Sequence, residues 1–427
     1  MSALSSRKLN AITKGLPYVG EPIEIAELST RNWNILQEDV PLPVAIIRRT
    51  AMDRNRAAMM SYVREAGVEL APHGKTTLSP EIFAMQLDDG VWGITLSTIH
   101  QLRVGLAAGV KRVLLANELV GPRDLDFVVK LLAENQDLDF YCFVDSVAHI
   151  DRWAAAASRG NLHRPINLLI ELGYAGGRAG CRNVADALAV ARAINEHPAL
   201  RLQGIAGFEG LRQYLPAEEA ERLTDEFLKY MAAVIQDIDE RGLFGGEEII
   251  LTAGGSALFD IVAKKFGTLA LSKASRIVIR SGCYVTHDSG IYERHQPARI
   301  VRQQDDHHTG PVLDAAIEVW AYVISVPEAG RAILGAGRRD FGHDAGPPRA
   351  LKYFRPGADM RQLPSVCEIV SINDQHAHLA FPADVELIVG DMVALGISHP
   401  CTTFDRWNSM LIVDDNYEVV SAITTQF

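Results

Sequence analysis

Between residues 67 and 286, eight short and almost uninterrupted apolar runs alternate with amphipathic stretches of helical period. No other feature of the chain restricts its fold as strongly. The runs are "VELAPHGKTT", "WGITLST", "KRVLLANEL", "LDFYCFVDS", "INLLIELGY", "LRLQGIAGFEG", "EEIILTAGGS" and "SRIVIRSGCYV". Side chains alternate across a strand, so a run that is apolar at successive positions suits a strand buried on both faces. The intervening segments, among them "SPEIFAMQLDDG", "NVADALAVARAINEHP" and "PAEEAERLTDEFLKYMAAVIQDIDERG", space apolar residues three and four apart and carry Gly or Pro at their ends. Eight strands alternating with helices predict an α/β fold, a (β/α)8 TIM barrel. The competing open, doubly wound sheet would favour a G-x-G-x-x-G at the first strand-to-helix turn, and none is present.

After "CYVTHDSG" the texture changes. "AAIEVWAYVISV", "RAILGAG", "EIVSINDQHAHLAF", "DVELIVGDMVALGI" and "YEVVSAI" read as strands joined by Gly, Asp and Pro turns without helices between them. This is a second, mostly β domain. The early run "PLPVAIIRRT" falls outside the count of eight and is expected to return and pair with the C-terminal strands. The boundaries expected are residues 61–296 for the barrel, and residues 1–60 with 297–427 for the β-rich domain.

Charge narrows the partners. Lys plus Arg number 42 against 53 for Asp plus Glu, a net charge of −11 with no block of like charge, which argues against a nucleic-acid or anionic-membrane partner. The N-terminal segment lacks the apolar core of a signal peptide, and no later run is long enough to span a bilayer. Five scattered cysteines, an odd number, suit a reducing compartment, so a soluble, cytoplasmic protein is expected.

A barrel of this kind builds its site at the C-terminal ends of its strands, often with a phosphate held by the loops after strands seven and eight. Strand seven ends in "TAGGS", Thr252 to Ser256, and strand eight in "RSGCY", Arg280 to Tyr284. Both loops offer backbone N–H groups and hydroxyls suited to a phosphate, although a single glycine loop is also what any tight turn needs. Lys75 falls at the end of strand one. A partly desolvated lysine loses its proton and attacks a carbonyl, so a phosphate site with such a lysine points to pyridoxal 5'-phosphate. In "GISHPCTTFDRW", His399 and Cys401 lie two apart and share one face if that segment is extended. Imidazole and thiolate together suit Zn2+, but two ligands alone do not close a tetrahedral site. Arg178 in "GYAGGRAG", Asp340 and Asp344 in "GRRDFGHDAGPP", and His376 and His378 in "NDQHAHL" are further polar loop residues for which a purely structural role is the plain alternative.

The ordered set "APHGKTT", "AGGS", "RSGCYVTHD", "DAGPP", "NDQHAHL" and "SHPCTTFD" resembles the fold-type III pyridoxal-phosphate enzymes, the group of alanine racemase, in its D-threonine aldolase and D-serine dehydratase branch. The resemblance implies that Lys75 is the lysine that binds the cofactor covalently. It further implies that Gly254, Gly255, Ser256, Gly282 and Tyr284 cradle the phosphate, and that Arg178 lies near the cofactor's phenolic oxygen. His399 and Cys401 match the metal pair of the dehydratase side, whereas histidine with aspartate would match the aldolase side. Racemases of this fold use a second base, a tyrosine from the partner subunit, and no stretch here aligns with that motif. The implied protein is a homodimeric dehydratase of a small D-3-hydroxy amino acid, forming a 2-keto acid and ammonia. The alternatives are a D-threonine aldolase, a non-catalytic pyridoxal-phosphate carrier, which as a family lacks a second domain, and a barrel that uses Lys75 without a cofactor. His73, two residues before Lys75, has no role assigned by this reading.

Overall fold

The computed structural model describes residues 7–10, 12–18, 20–305 and 310–427. Each of the eight apolar runs contributes one strand: Glu69–Leu70, Ile94–Leu96, Arg112–Glu118, Asp139–Val144, Ile166–Leu172, Leu200–Gly207, Glu248–Ala253 and Ala274–Ile279. All neighbouring pairs are parallel. Strand one pairs with strand eight, Leu70 opposite Ile279, which carries the sheet from its last member back to its first. The remaining seam, between strands one and two, is bridged by the Trp92 N–H to Leu70 O bond of 2.8 Å, the Thr95 N–H to Pro72 O bond of 3.0 Å, and a parallel bridge between His73 and Thr95.

Residue by residue, the alternation explains why the runs are apolar throughout. Leu114, Leu169, Ile250 and Val278 pack with Tyr141 and Phe143 in one buried cluster. Their neighbours Val113, Leu115, Leu168, Ile170, Ile249, Leu251, Ile277 and Ile279 belong to another, with the helices. Each strand therefore faces a core on both sides. A helix follows every strand: Pro80–Asp88, Ile99–Ala107, Pro122–Glu134, Val147–Ala157, Val184–Asn195, Ala217–Glu240, Phe259–Gly267 and Ile291–Asp305. Several begin where the sequence supplies a cap. Ser79, Thr98 and Asn183 accept N–H bonds from Ile82, Gln101 and Asp186, and Pro80 and Pro122 open their helices at positions where a missing N–H costs nothing. The eighth helix falls just past the point where the sequence turns β-rich.

The second domain closes a ring of six strands in the order Arg331–Leu334, Ala377–Ala380, Glu368–Ile372, Arg349–Phe354, Met392–Gly396 and Ile317–Glu328, the last pairing again with the first. The early run returns as expected. Val44–Arg48 pairs antiparallel with Ile317–Glu328 and parallel with Ser409–Val413, which in turn pairs with Val419–Thr424. Three findings differ from the sequence reading. Strands Arg349–Phe354 and Ser409–Val413 were not anticipated, "DVELIVGDMVALGI" yields only Met392–Gly396, and one helical turn, Cys401–Phe404, interrupts the β succession. Among the described residues no helix is long and apolar enough to cross a membrane.

The two parts are tied at several points that also support the barrel mouth. The C-terminal strand reaches the loop of strand one, where Thr424 N–H donates to Glu81 (3.0 Å) and Gln426 N–H to Leu78 O (3.0 Å). Asn55 of helix Arg49–Glu65 is fully buried. Its amide donates to the carbonyls of Asp314 (2.8 Å) and Val285 (3.3 Å) and accepts the Asp314 N–H (2.7 Å). Asn55→Ala leaves these backbone groups without partners at about 1–3 kcal/mol each. The expected result is a loss of about 3 kcal/mol in urea unfolding with unchanged helix and strand content; a loss under about 1 kcal/mol would show that Asn55 does not hold this junction.

Candidate active site

Strand one is only two residues long, and the chain leaving it runs through Ala71 and Pro72 into a single 3-10 turn, Gly74–Thr76, at the barrel mouth. Lys75 lies on that turn and lines a small pocket with His73, Ser97, Ala116, Phe143, Arg178, Phe208, Gly255 and Arg280. Burial pulls the Lys75 ammonium below its ordinary range, and Arg178 and Arg280 add to this against an opposing pull from Cys401 and Cys283. His73 is held neutral for the same reasons, burial first and then Lys75, Arg280 and Arg178. Its Nε2 lies 3.3 Å from Ser97 Oγ, while its buried Nδ1 has no partner among the described residues. Roomier clefts lined by Arg48 and Lys352 contain neither Lys75 nor the His399 and Cys401 pair.

Arg280, which the sequence reading quoted but assigned no role, is buried. It donates to Thr252 Oγ1 (2.8 Å) and Gly207 O (2.6 Å), and burial lowers its pKa only to about 10, so it stays cationic. Arg178 stacks over Phe208 at 4.4 Å. Its loop is fixed by Asp145, whose carboxylate accepts the Gly180 N–H at 2.8 Å, and by paired backbone bonds of Cys181 with Glu171 and Gly173. Glu118, at the end of strand three, is pushed up to about 9 by burial and then by Glu171.

The expected phosphate loops meet, with two departures. Gly254 adopts φ +84°, a conformation that favours glycine, but its N–H and that of Gly255 donate to the buried Glu209 carboxylate (3.1 and 2.6 Å). The Ser256 hydroxyl accepts the Cys283 N–H at 3.1 Å. Gly282 permits a close approach, since a Cβ there would lie 2.6 Å from His73 O and 2.6 Å from Thr76 Oγ1. The Tyr284 side chain does not face the pocket. The turn Cys283–Val285 directs it into the helix-side core, where its hydroxyl lies 3.4 Å from Gln86 Nε2.

His399 and Cys401 come from the β domain. They do not lie on a strand: Pro400 starts the one-turn helix Cys401–Phe404, and that turn, rather than an extended segment, gathers them. Asp344 Oδ2 meets His399 Nδ1 at 2.7 Å, and Asp344 Oδ1 accepts the Thr402 hydroxyl at 2.6 Å. Burial opposes the His399 imidazolium, yet Cys401 and Asp344 carry its pKa up to about 9. The Cys401 thiol is held well below its ordinary range, by Cys283 first and then by His399 and Thr76. Cys401 Sγ lies 3.5 Å from Thr76 Oγ1, beside Lys75. Among the described residues no group of three or more His, Cys, Asp or Glu is arranged to hold a metal. The pair still suits one. Asp344 fixes the imidazole, the thiol is poised as thiolate, and the remaining ligands would come from outside the chain.

The other polar loop residues, Asp340, His376 and His378, make local contacts away from the Lys75 pocket. Asp340 is buried, accepting the Gly337 N–H (2.7 Å) and pairing with Lys14 (2.7 Å). His378 contacts Asn373 at the turn of the hairpin Glu368–Ile372/Ala377–Ala380, and the His376 carbonyl accepts the Asn373 N–H. The pocket residues missed from sequence, Ser97, Ala116, Phe143 and Phe208, lie at or just beyond strand ends. Only the strand register, which decides the inward face, could have marked them.

A parallel barrel with a half-buried lysine on its first strand end, glycine loops after its seventh strand and a β domain over its mouth defines a class, that of the pyridoxal-phosphate barrels. The chain belongs to the family of the alanine racemase N-terminal domain, whose model matches residues 47–262, and residues 316–413 match the "Putative serine dehydratase domain". Relatives include a D-threonine aldolase of Arthrobacter sp, 24% identical over 88% of this chain and 90% of that protein. A D-threo-3-hydroxyaspartate dehydratase of Delftia sp. strain HT23 is 27% identical over 79% of this chain and 83% of the other. The D-threonine aldolase structure from Filomicrobium marinum superposes with a TM-score of 0.76 at 22% identity, covering 91% of this chain and 95% of that one. The Delftia dehydratase structure gives 0.71 at 22% identity, covering 92% and 99%. Structures of D-threo-3-hydroxyaspartate dehydratase also include alanine variants of a histidine and of a cysteine two positions later, the cysteine variant in a metal-free form.

Borohydride reduction of the protein with pyridoxal phosphate is expected to leave the cofactor on the peptide containing Lys75, as read by mass spectrometry, and Lys75→Ala is expected to remove it. Because the folded environment lowers the Lys75 pKa, half-maximal labelling should fall below pH 10.5. Labelling elsewhere at equal yield, or a midpoint at or above that of free lysine, would contradict this placement.

Proposed function

We propose that this protein is a pyridoxal-phosphate- and zinc-dependent dehydratase that converts a D-3-hydroxy amino acid, such as D-serine or D-threonine, to a 2-keto acid and ammonia. One observation carries the reading. Lys75, with its ammonium destabilised, and the His399 and Cys401 pair converge on one turn, because Cys401 rests on Thr76. A base for Cα and a ligand pair for a metal at the β-oxygen are what β-elimination of water requires.

Bound pyridoxal phosphate would draw electron density from Cα, and bound zinc would polarise the β-hydroxyl so that it can leave. The chain supplies the rest. Lys75 Nζ, whose charged form burial disfavours, takes the α-proton from the face it occupies, which selects one enantiomer. Arg280 and Arg178 offset negative charge in the pocket, and neutral His73 adds no further cation. With the amides of Gly254 and Gly255 engaged by Glu209, this loop pair still offers the Ser256 hydroxyl and the backbone at Gly282 to a phosphate. His399 and Cys401 hold the metal, and Asp344 keeps the imidazole ring oriented. The spacing of this pair equals that of the histidine and cysteine altered in the dehydratase structures.

Cleavage of the Cα–Cβ bond to glycine and an aldehyde is the second reading, favoured by the likeness to the Arthrobacter aldolase. A panel of D-3-hydroxy amino acids, assayed with chelator-treated and zinc-restored enzyme, separates the two. The expected result is keto acid and ammonia only when zinc is restored, without glycine. Glycine as the main product would replace the dehydratase reading by the aldolase one.

Asp344→Ala is expected to weaken zinc binding by about 10- to 100-fold, measured by competition with a chromophoric chelator. An unchanged zinc affinity would remove Asp344 from the metal's support.

A further inference from the structure

We propose that Cys283 and Cys401 form a reversible disulfide across the barrel–domain junction, a redox modification site whose closed form cannot hold the metal. The two sulfurs lie 3.7 Å apart although their residues are 118 positions apart and belong to different domains. Cys283 sits on the turn after strand eight, and Cys401 opens the helical turn of the β domain. Cys142 and Cys181, by contrast, direct their thiols to backbone carbonyls. A disulfide holds its sulfurs at about 2.05 Å, so the pair must approach by about 1.7 Å, the scale of a side-chain torsion rather than of a domain movement.

Burial sets an order of events. Cys401 is half-buried, whereas Cys283 is 3% exposed and lies behind it. A small oxidant such as hydrogen peroxide meets Cys401 first. The Cys401 sulfur attacks one peroxide oxygen, the O–O bond breaks, and the departing hydroxide leaves as water with the proton the thiol has given up, which gives a sulfenic acid. The Cys283 sulfur then attacks that sulfenic sulfur; the S–O bond breaks, a second water leaves with the Cys283 proton, and the S–S bond forms. Two thiols and one peroxide become one disulfide and two waters, with two electrons passing from sulfur to peroxide. The linkage rests on the position of the thiols alone. Its effect on metal binding rests on the dehydratase reading, because Cys401 then has no thiolate to offer.

The test uses the full-length enzyme, treated with a chelator and then with hydrogen peroxide, and does not depend on turnover. Free thiols of the five cysteines should fall by two. Peptide mapping without reductant should find Cys283 joined to Cys401, and dithiothreitol should reverse both changes. Enzyme loaded with zinc beforehand should resist, and oxidised enzyme should take up zinc only after reduction. In Cys283→Ser, Cys401 should proceed to sulfinic acid, which dithiothreitol does not restore. Oxidation of Cys401 in the wild type without linkage to Cys283, or linkage of other cysteines, would overturn the proposal. A disulfide that forms but leaves zinc uptake intact would keep the linkage and refute its competition with the metal.

Discussion

Closure of the barrel at strand one is the constraint on which the site depends. That strand has only two paired residues, so the segment from Ala71 to Thr77 is held less by ladder bonds than by what surrounds it. Pro72 and His73 join strand two, the Gly282 backbone presses against His73 O and Thr76, and the C-terminal strand of the β domain grips Leu78 and Glu81. A full strand would have carried Lys75 on in regular alternation. The 3-10 turn instead places Lys75 at the mouth and Thr76 against the β domain. Lys75 and the candidate metal pair are therefore neighbours through a single turn of backbone.

Electrostatics at the mouth follow from the same closure. Lys75, Arg178 and Arg280 converge on one small pocket, where the two guanidinium groups add to burial in lowering the pKa of Lys75 and of His73. Arg280 stays charged because Glu209 and Glu171 oppose the cost of its burial, and its guanidinium is held by Thr252 and Gly207 O, while burial lowers Lys75 from a lower ordinary pKa. Glu209 balances part of this charge. It is wholly buried and accepts two backbone N–H bonds, which satisfies a carboxylate that would otherwise be costly inside the protein. The strand-seven glycine loop is thus shaped from inside the protein.

Legibility differed between fold and site for physical reasons. Strands buried on both faces must be apolar throughout, so the barrel could be read strand by strand, and the return of "PLPVAIIRRT" to the second domain followed from its being one strand too many. The β domain was harder to read. Arg349–Phe354 sets its two basic residues three apart and carries a register shift between Ala350 and Lys352, so it shows no period of two, and Ser409–Val413 is short and lies one residue beyond "CTTFDRW". At the site, Lys75 and the pairing of His399 with Cys401 were legible because unusual residue types stood at predictable places. The direction of the Tyr284 side chain was not legible, since the single turn after strand eight sends it into the helix-side core toward Gln86. Glu209, Arg280 and Phe208 went unassigned because a residue's inward or outward direction at a strand end depends on register, which apolar runs do not reveal.

The sequence by itself determined the repeating βα architecture, the separate β domain, and a lysine at the end of the first strand, since all three follow from local period and from residue type. Only the tertiary structure decided that Cys283 and Cys401 lie side by side, that Asp344 supports His399, and that Glu209 takes up the glycine amides. Those contacts join residues tens to more than a hundred positions apart, and no local preference encodes them; they exist only once strand eight closes on strand one and the second domain is seated over the mouth.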